Sequence, residues 1–509
     1  MLMETKLLSE KYHDQIAGVL NCYDRVVLTG TLPQFCYPEG MTSYLFAHHI
    51  RIFDYTKFAA PLREKIRDHA EALAKANDFQ IEFVRQKNFR KEERVKQILK
   101  TRGHHPGLVH IFSAMESCTS YKPWHDKSTG KNFLKYDSGK CLHYYFYFID
   151  DELGLCYMRV PTWCPFRLQF YFNGHALLAA LLKRKGIAFT LQDNAFLSIA
   201  DFDQANQLMQ QFNVARLHRK LDVFARRYCP VIRALQAAYH WSTMQVEYAT
   251  DVVFKQQKNL QALYAALLEI LIHAVKPENI ATFLGQKLHG NYKGEMGNRF
   301  DVRLPGSRIK HIMGPVSIKM YDKFGLILRI ETTVNDVSFF QHYREVHHRN
   351  GERETQWGKM RKSIYSLAPL QELLAAANRR YLQFISQIET PEVGVKMLNN
   401  LTTTKTHGNH SYKGFNLLAD EDASLLRLLV RGEFTISGLT SIALRKLLPE
   451  KTAGQISRML KRLRVHGLIK RVGRRYKYYL TQVGRQVTVM ALKLRELYVI
   501  PTFAQATAV

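Results

Sequence analysis

Residues 452–481 read TAGQISRMLKRLRVHGLIKRVGRRYKYYLT, and this stretch says more about the fold than any other part of the chain. Apolar side chains recur at three- and four-residue spacing from 456 to 463, which predicts an amphipathic helix. Gly467 is expected to end that helix, because glycine accepts the left-handed backbone conformation of a C-cap. Residues 468–472 and 476–480 then predict two short strands around a basic turn.

Charge sets this region apart from the rest of the chain. From residue 451 to residue 495 there are 13 Lys or Arg residues and no Asp or Glu. A basic helix by itself is often only a solvated surface. Here a basic hairpin follows at once, and two more helices with a short strand between them are predicted over 420–448. The combination favours a polyanionic partner.

The order of helix, strand, helix, helix and hairpin resembles the winged-helix domains of MarR-like bacterial regulators. Winged helices also serve as protein-contact modules, but the charge favours double-stranded DNA as the partner. The resemblance implies that one helix meets base edges while the same helix and the hairpin contact phosphates. The residues expected at the DNA are Gln455, Ser457, Arg458, Lys461, Arg462, Arg464, Arg474, Arg475, Tyr476 and Lys477.

Composition indicates a folded, basic protein. The chain has 509 residues, of which 46% are hydrophobic and 12% aromatic, as in globular proteins of several domains. Its formal charge of +29 favours nucleic acid as the partner, with an anionic membrane surface as the alternative. Apolar runs stay shorter than the length needed to cross a bilayer, so we expect no membrane insertion.

Cysteine usage and the N-terminal residues both indicate the cytoplasm. The seven cysteines are odd in number and form no C-x-x-C pair, which argues against zinc-finger and disulfide frameworks. The first residues, MLMETKLLSEKYHD, lack the apolar core and the cleavage site of a secretory signal. We therefore expect a reducing, cytoplasmic environment.

The alternation of helix and strand signals predicts a mixed α+β, multidomain chain. The expected regions are a mixed α/β domain at 1–200, a helical region at 201–285, a β-hairpin-plus-helix region at 286–401, a polar linker at 402–414 and a winged helix at 415–509. In the helical region Glu247 and Asp251 are four residues apart, which would place both carboxylates on one helix face. Such a pair could hold a metal ion, although surface acids at this spacing are common.

A second informative stretch is 308–336, RIKHIMGPVSIKMYDKFGLILRIETTVND. It predicts a β-hairpin with strands at 316–322 and 326–333. Period-two alternation places four polar side chains on one face: Lys319, Tyr321, Arg329 and Glu331. Cross-strand ion pairing accounts for this set without any catalytic role.

A catalytic alternative rests on the same hairpin, which resembles one in plasmid replication initiators, enzymes that nick DNA with a tyrosine and a bound metal. The resemblance implies Tyr321 as the nucleophile and Asp322 and Glu331 as ligands of Mg²⁺ or Mn²⁺. The chain departs from that pattern because it has no His-x-His motif. Asp24 and Glu116 offer a second route, in which acids from separate strands converge in an RNase H-like site, as in many transposases.

Other catalytic signatures are absent from the sequence, including the Walker A, G-x-S-x-G and H-E-x-x-H motifs. Residues 22–33 and 317–336 also resemble a large set of bacterial proteins without an assigned activity. Two functions therefore stay open. The first is a DNA-binding protein whose large N-terminal region has a sensing or assembly role. The second is a metal-dependent nuclease, nickase or recombinase of a mobile genetic element.

Overall fold

The computed structural model describes residues 6–86, 88–288, 292–303, 306–348, 350–388, 398–431, 434, 438–472 and 476–506. These residues form a mixed α+β protein, as the sequence predicts. The chain divides into two compact units, residues 1–389 and residues 390–509. Each unit has its own cluster of buried hydrophobic side chains.

The strands of the first unit are, in chain order, β1 (Ile16–Thr31), β2 (Glu82–Phe83), β3 (Gly107–His125), β4 (Asn132–Asp150), β5 (Gly154–Pro161), β6 (Leu168–Asn173), β7 (Phe189–Gln192), β8 (Ala195–Ile199), β9 (His240–Phe254), β10 (Met296–Arg303), β11 (Gly306–Met313), β12 (Val316–Lys323), β13 (Ile327–Val334), β14 (Gln341–His347) and β15 (Arg353–Lys359). Eleven of them form one sheet in the order β10-β11-β12-β13-β9-β1-β6-β5-β4-β3-β2. Within that sheet the β2–β3 pair is parallel and the other described pairs are antiparallel. β7 pairs with β8, and β14 with β15, as separate hairpins.

The helices of the first unit are α1 (Leu8–Lys11), α2 (Pro38–Ala47), α3 (Tyr55–Ala76), α4 (Lys91–Arg102), α5 (Gly174–Lys185), α6 (Phe202–Gln210), α7 (Val214–Tyr228), α8 (Val231–Leu235), α9 (Gln257–Ala274), α10 (Pro277–Phe283) and α11 (Leu367–Ile388). Several of them pack on one side of the sheet, which we call the back face. There Phe148 and Phe170 meet Phe224 of α7, while Thr332 meets Asn378 of α11. Burial of the apolar side chains on this face is the main stabilising contribution in this unit.

The opposite side of the sheet, which we call the front face, is covered less completely. α4 packs there through Val95 and Leu99 against a small apolar cluster on β3, β4 and β5. The β7–β8 hairpin covers another part, where Ala195 meets Val253 and Ile327. Between α4 and the β7–β8 hairpin the front face carries mainly polar and charged side chains. The candidate site lies among them.

A β-bulge in β1 changes the direction of two side chains. Tyr23 pairs with Tyr248 of β9 and Val26 pairs with Val246, so Asp24 and Arg25 together stand opposite the single residue Glu247. Such a two-to-one bulge interrupts the alternation of a strand and re-aims its side chains. Here it places Asp24 and Arg25 on the front face together.

The expected division of the first 401 residues into three regions is wrong. Strands from 1–200, from 201–285 and from 286–401 all belong to the same sheet, and β9 lies between β1 and β13. Residues 240–254, expected in the helical region, form β9 because long-range pairing with both neighbours outweighs local helix signals. The predicted hairpin is confirmed as β12 and β13, which follow each other in the sheet.

The second unit contains β16 (Lys405–His407), β17 (His410–Tyr412), α12 (Asp420–Leu429), α13 (Ser441–Leu447), α14 (Ala453–Val465), β18 (Ile469–Val472), β19 (Lys477–Leu480), α15 (Gln482–Leu494), a π-helical turn (Arg495–Val499) and α16 (Ile500–Ala506). The helix and both strands predicted over 452–481 are confirmed, and Gly467 has the expected positive φ of 75°. A β-bridge joins Leu439 to Tyr478 of β19. The basic turn at 473–475 lies outside the described residues.

The prediction of a polar linker at 402–414 is wrong. Its residues pair as the β16–β17 hairpin, and Phe415 directly after it is buried in the core of the second unit. Arg462 of α14 donates to the carbonyl of Gly414 at 2.6 Å. Composition alone did not reveal that this polar segment is held by backbone pairing and by a side chain from another helix.

Candidate metal centre on the front face

Three carboxylates meet on the front face: Asp24 of β1, Glu247 of β9 and Glu331 of β13. One oxygen from each lies within 4.8 Å of the others, and the described residues contain no second such group of potential ligands. Asp24 and Glu331 are buried, whereas Glu247 is half-buried. We call these three residues the carboxylate site.

The sheet brings these carboxylates together through its strand order and register. β1, β9 and β13 are neighbours, with Glu331 opposite Ala249 and Glu247 opposite Thr333. The residues of the site would not meet without the bulge in β1, which turns Asp24 toward Glu247. Because directly opposed residues project to the same face of an antiparallel sheet, all three acids face the front.

Lys319 of β12 links two members of the carboxylate site. Its Nζ donates to Glu331 Oε1 at 2.6 Å and to Glu247 Oε1 at 3.2 Å. Tyr321 donates its phenolic hydrogen to Glu331 Oε2 at 2.6 Å. Thr333 Oγ1 lies 3.2 Å from Glu247 Oε1 and completes the polar contacts of that edge. Both oxygens of Glu331 are therefore oriented before any ligand binds.

Arg329 of β13 is fully buried and holds the other edge of the site. Its Nε and Nη2 each donate to Asp251 at 2.6 Å in a bidentate pair, and its Nη1 lies 3.4 Å from Asp24 Oδ2. The Asn194 side-chain amide donates to both oxygens of Asp24, at 2.6 and 2.9 Å. Asn173 donates to Asp24 Oδ1 at 2.9 Å. Asp24 is thereby fixed by donors from three different strands or turns.

His175 occupies a fully buried position beside Asp24. Its Nδ1 lies 3.3 Å from Asp24 Oδ1 but makes no hydrogen bond to any described residue, while Arg329 Nη2 lies 3.1 Å from its Nε2. The helix that carries it, α5, begins against β1, where a Cβ on Gly174 would lie 2.0 Å from the carbonyl oxygen of Tyr23. Glycine is therefore required at this close approach, which places His175 and the Asn173 cap.

The charges of the site shift its acidities in opposite directions. Burial and the Glu331 carboxylate raise the pKa of Glu247 above its usual value. Burial also opposes ionisation of Asp24 and Asp251, but the Arg329 guanidinium outweighs it, so the pKa of Asp24 lies below its usual value and that of Asp251 falls to about 2. The carboxylate site thus combines one firmly ionised acid with a strained like-charged pair.

The basic side chains respond to the same neighbours. Burial disfavours the ammonium of Lys319, but Glu331 and Glu247 outweigh that effect and raise the pKa of Lys319. For Tyr321, burial and the Glu331 carboxylate raise the pKa well above its usual value. The Tyr321 phenol is therefore held as a hydrogen-bond donor and is not poised to ionise.

The structure separates the acids that the sequence predicted together. Asp322 follows Tyr321 on β12 and so points to the back face, away from Glu331, which corrects the expected Asp322–Glu331 metal pair. Glu116 lies on β3 and accepts from Tyr145 at 2.5 Å and from Arg159 at 2.5 and 2.9 Å, apart from Asp24. Of the predicted catalytic residues, Asp24, Tyr321 and Glu331 lie together.

Some residues of the site are predicted from the sequence with a different partner, and others are not predicted at all. The sequence predicts Glu247 and Asp251 as two carboxylates on one helix face that could hold a metal ion. Both residues lie instead on strand β9, where residues four apart also point to the same face. Lys319 and Arg329 were expected as cross-strand partners, and the pairing of Lys319 with Glu331 is confirmed. His175 and Asn194 carry no local signal, because only the sheet and the β7–β8 hairpin bring them to Asp24.

The second unit presents part of the predicted DNA-binding set on its surface. Gln455, Ser457 and Arg458 of α14 are exposed, and Arg471 lies over the ring of exposed Tyr476 at 4.1 Å. Lys461, Arg464 and Lys477 are half-buried. Arg474 and Arg475 lie outside the described residues.

Arg462 differs from the other predicted DNA contacts. Its guanidinium donates to Asp422 at 2.7 and 3.0 Å and lies 4.0 Å from the ring centroid of Phe415. It also donates to the carbonyls of Lys413 and Gly414. These contacts engage the Arg462 guanidinium inside the unit, whereas Gln455, Ser457 and Arg458 are exposed on the same helix.

Comparison with known proteins adds no assignment: no protein-family model, curated protein or solved structure matches the chain. Among the helices of the described residues, we find none with the length and apolar character needed to span a bilayer.

Proposed function

We propose that the protein is a metal-dependent enzyme that cleaves or transfers phosphodiester bonds of DNA, with Asp24, Glu247 and Glu331 as ligands of Mg²⁺ or Mn²⁺. The observation that carries the proposal is the convergence of these acids within 4.8 Å on a polar sheet face. Carboxylate oxygens are the ligands that such hard cations prefer. A bound divalent ion would stabilise the charge that develops on a phosphoryl group and activate the attacking water.

A second feature supports a ligand at this site. The Nδ1 of His175 is buried without a hydrogen bond to any described residue and faces Asp24 at 3.3 Å. Buried polar nitrogens are rarely left without a partner unless a functional group or a bound species uses them. The buried Nδ1 of His175 therefore favours a site in which a bound species makes the missing contact.

The protein residues have separate tasks in the proposed reaction. Arg329 and Asn194 hold Asp24 ionised and oriented as a ligand. Lys319 neutralises the Glu247–Glu331 pair in the absence of an ion, and its ammonium would be released toward a substrate phosphate when an ion replaces it. Because Tyr321 is committed to Glu331 as a donor, we propose water as the nucleophile instead of a tyrosine.

We further propose that the second unit is a winged helix that docks the enzyme on DNA. The exposed start of α14, with Gln455, Ser457 and Arg458, is the part of the helix best suited to a major groove. Arg471 and Tyr476 on the hairpin are suited to the phosphate backbone. The net charge of +29 favours this partner and implies strong salt dependence.

A second candidate is a DNA-binding protein without catalysis, and one observation favours it. Lys319 already satisfies Glu247 and Glu331, so the carboxylate site could be a structural ion-pair network. Such a network needs no divalent ion, which makes the two candidates separable by experiment.

The test is cleavage of labelled duplex and single-stranded DNA in Mg²⁺, in Mn²⁺ and in a chelator. We expect ion-dependent cleavage that Glu331→Gln abolishes while DNA affinity stays unchanged. Glu152→Gln is the matched control, since Glu152 is another half-buried, ion-paired acid, in the turn between β4 and β5, and its loss should leave cleavage intact. Absence of cleavage in every condition, together with a lower melting temperature of Glu331→Gln, would establish the structural network instead.

A further inference from the structure

A cavity of about 350 Å³ opens on the front face at the ends of β1, β5 and β6. Its wall includes Arg159, Arg167, Trp163 and His143, together with the cross-strand neighbours Thr29 and Gln169. We call it the strand cavity. The volume lies at the lower end of small-molecule sites, which makes it the right size for one nucleotide.

The chemistry of the wall suits an anionic ligand with a planar group. Arg167 is exposed, and Arg159 is oriented by Glu116 at the edge of the cavity. No acidic side chain lines the cavity among the described residues. Trp163, fixed by a 2.8 Å hydrogen bond from its indole nitrogen to Ser120, supplies an aromatic ring of the kind on which bases stack.

His143 adds a hydrogen-bonding group to this wall. It is only 2% exposed, and its Nδ1 lies 3.0 Å from the carbonyl oxygen of Cys141. Because a carbonyl only accepts, Nδ1 carries the proton and Nε2 is an acceptor in the neutral ring. Burial and nearby Arg159 lower the pKa of His143 to about 4, so the ring is neutral at physiological pH. A base amine or a sugar hydroxyl is a donor that such an acceptor would bind.

The strand cavity and the carboxylate site lie on the same face of the sheet. Thr29 opposes Gln169 at the cavity, and four residues along the same strands Arg25 opposes Asn173, which donates to Asp24. Four residues of an extended strand span about 13 Å. Arg25 lies on this path over the ring of Tyr171, and its buried Nε has no hydrogen-bond partner among the described residues.

We propose that the strand cavity binds one nucleotide of an unpaired nucleic-acid strand, whose backbone continues past Arg25 to the carboxylate site. The inference rests on the proposed phosphodiester chemistry and narrows its substrate to a strand that is single or locally opened. A base inside a duplex is paired and stacked and could not enter a cavity of this size. Duplex binding by the second unit and strand binding by the first then have separate roles.

The experiment measures binding of a short labelled single strand and of its duplex to the full chain in a chelator, so that no cleavage is required. Arg167→Ala should weaken single-strand binding at least fivefold and leave duplex binding unchanged. It should also reduce the slope of log affinity against log salt concentration for the single strand by about 0.7. Arg226→Ala is the control, because exposed Arg226 lies on α7, which packs on the back face. Equal effects of the two substitutions on the single strand would overturn the proposal.

Trp163 provides a second and independent readout. Trp163→Ala should weaken single-strand binding about fivefold or more, whereas Trp163→Phe, which keeps a ring, should retain most of the affinity. A strand that contains 5-iodouracil should cross-link under ultraviolet light to the peptide that contains Trp163. Cross-links confined to the second unit would refute the cavity as the binding site, even if a variant fails to fold.

The outcomes separate this inference from the proposed function. If single-strand binding depends on Arg167 but no cleavage occurs in Mg²⁺ or Mn²⁺, nucleotide binding by the strand cavity is supported and the proposed enzymatic activity is refuted. If cleavage depends on Glu331 but the Arg167 and Trp163 variants cleave and bind single strands like the wild type, the enzymatic activity is supported and nucleotide binding by the strand cavity is refuted.

Discussion

Replacing Lys319 by methionine is the sharpest test of the carboxylate site. Methionine keeps much of the apolar stem but removes the ammonium that contacts Glu331 at 2.6 Å and Glu247 at 3.2 Å. Solvent screens both ion pairs weakly, because the side chains are 12% exposed for Lys319, 18% for Glu247 and 3% for Glu331. Removing one partner of a buried ion pair costs about 3–5 kcal/mol. We expect a loss near the lower end, about 3 kcal/mol, because Glu247 keeps some solvent contact.

The pH dependence of this loss has a defined sign. Burial and Glu331 already raise the pKa of Glu247 in the folded protein, and loss of the Lys319 ammonium should raise it further. A carboxyl group with a raised folded-state pKa destabilises the protein as pH rises above its unfolded value of about 4.3. The deficit of Lys319→Met should therefore grow as pH rises through the raised pKa of Glu247 and be largest at neutral pH.

The assay is thermal unfolding of both proteins at neutral pH with and without Mn²⁺. A loss of about 3 kcal/mol should lower the melting temperature of a unit of this size by roughly 4 °C. An ion at a hundredfold excess over its dissociation constant restores about 2.7 kcal/mol. Lys319→Met should recover most of its melting temperature, and the wild type should gain less because the ion must displace Lys319.

Lys220→Met provides the matched control. Lys220 is a half-buried lysine that contacts Asp150 at 2.9 Å and Glu152 at 3.7 Å, away from the carboxylate site. Its replacement should lower stability without a response to Mn²⁺. A Lys319→Met protein that is as stable as the wild type would refute the ion-pair account. Melting temperatures that do not respond to Mn²⁺ in either protein would refute the metal centre.

Three further predictions concern the buried Arg329–Asp251 pair and the second unit. Arg329→Met should cost about 3–5 kcal/mol of unfolding free energy at neutral pH, because Asp251 loses its bidentate partner. The pKa of Asp251 in the folded protein is about 2, so this stabilisation is present above the unfolded pKa and should disappear as pH falls from about 4 toward 2. Acid unfolding of the wild type and the variant measures this difference. In the second unit, Arg458→Ala with Arg471→Ala should weaken duplex binding on every sequence and reduce the salt slope by about 1.8, measured by fluorescence anisotropy. Arg462→Ala should instead lower the stability of that unit with little change in the salt slope, and a slope reduced equally by Arg462→Ala would place this side chain at the DNA after all.

Elements with local signals can be predicted from the sequence. The alternation over 316–333 predicted the β12–β13 hairpin and the shared face of Lys319 and Glu331. The helical spacing and the glycine at 467 predicted α14 and its end. These patterns succeed because the period of a strand or a helix and the conformation of a capping glycine depend on neighbouring residues alone.

Other features depend on contacts between distant parts of the chain and are missing or misplaced in the sequence-based prediction. Residues 240–254 become a strand only because β1 and β13 pair on both sides of them. That pairing, with a bulge at Asp24, moves Glu247 from an expected helix face to a position beside Glu331, while strict alternation turns Asp322 to the other side. Arg462, one of a run of similar basic residues, is directed inward by Asp422 and Phe415. The register between strands hundreds of residues apart, and the burial of one arginine among many, depend on contacts that local periodicity does not contain.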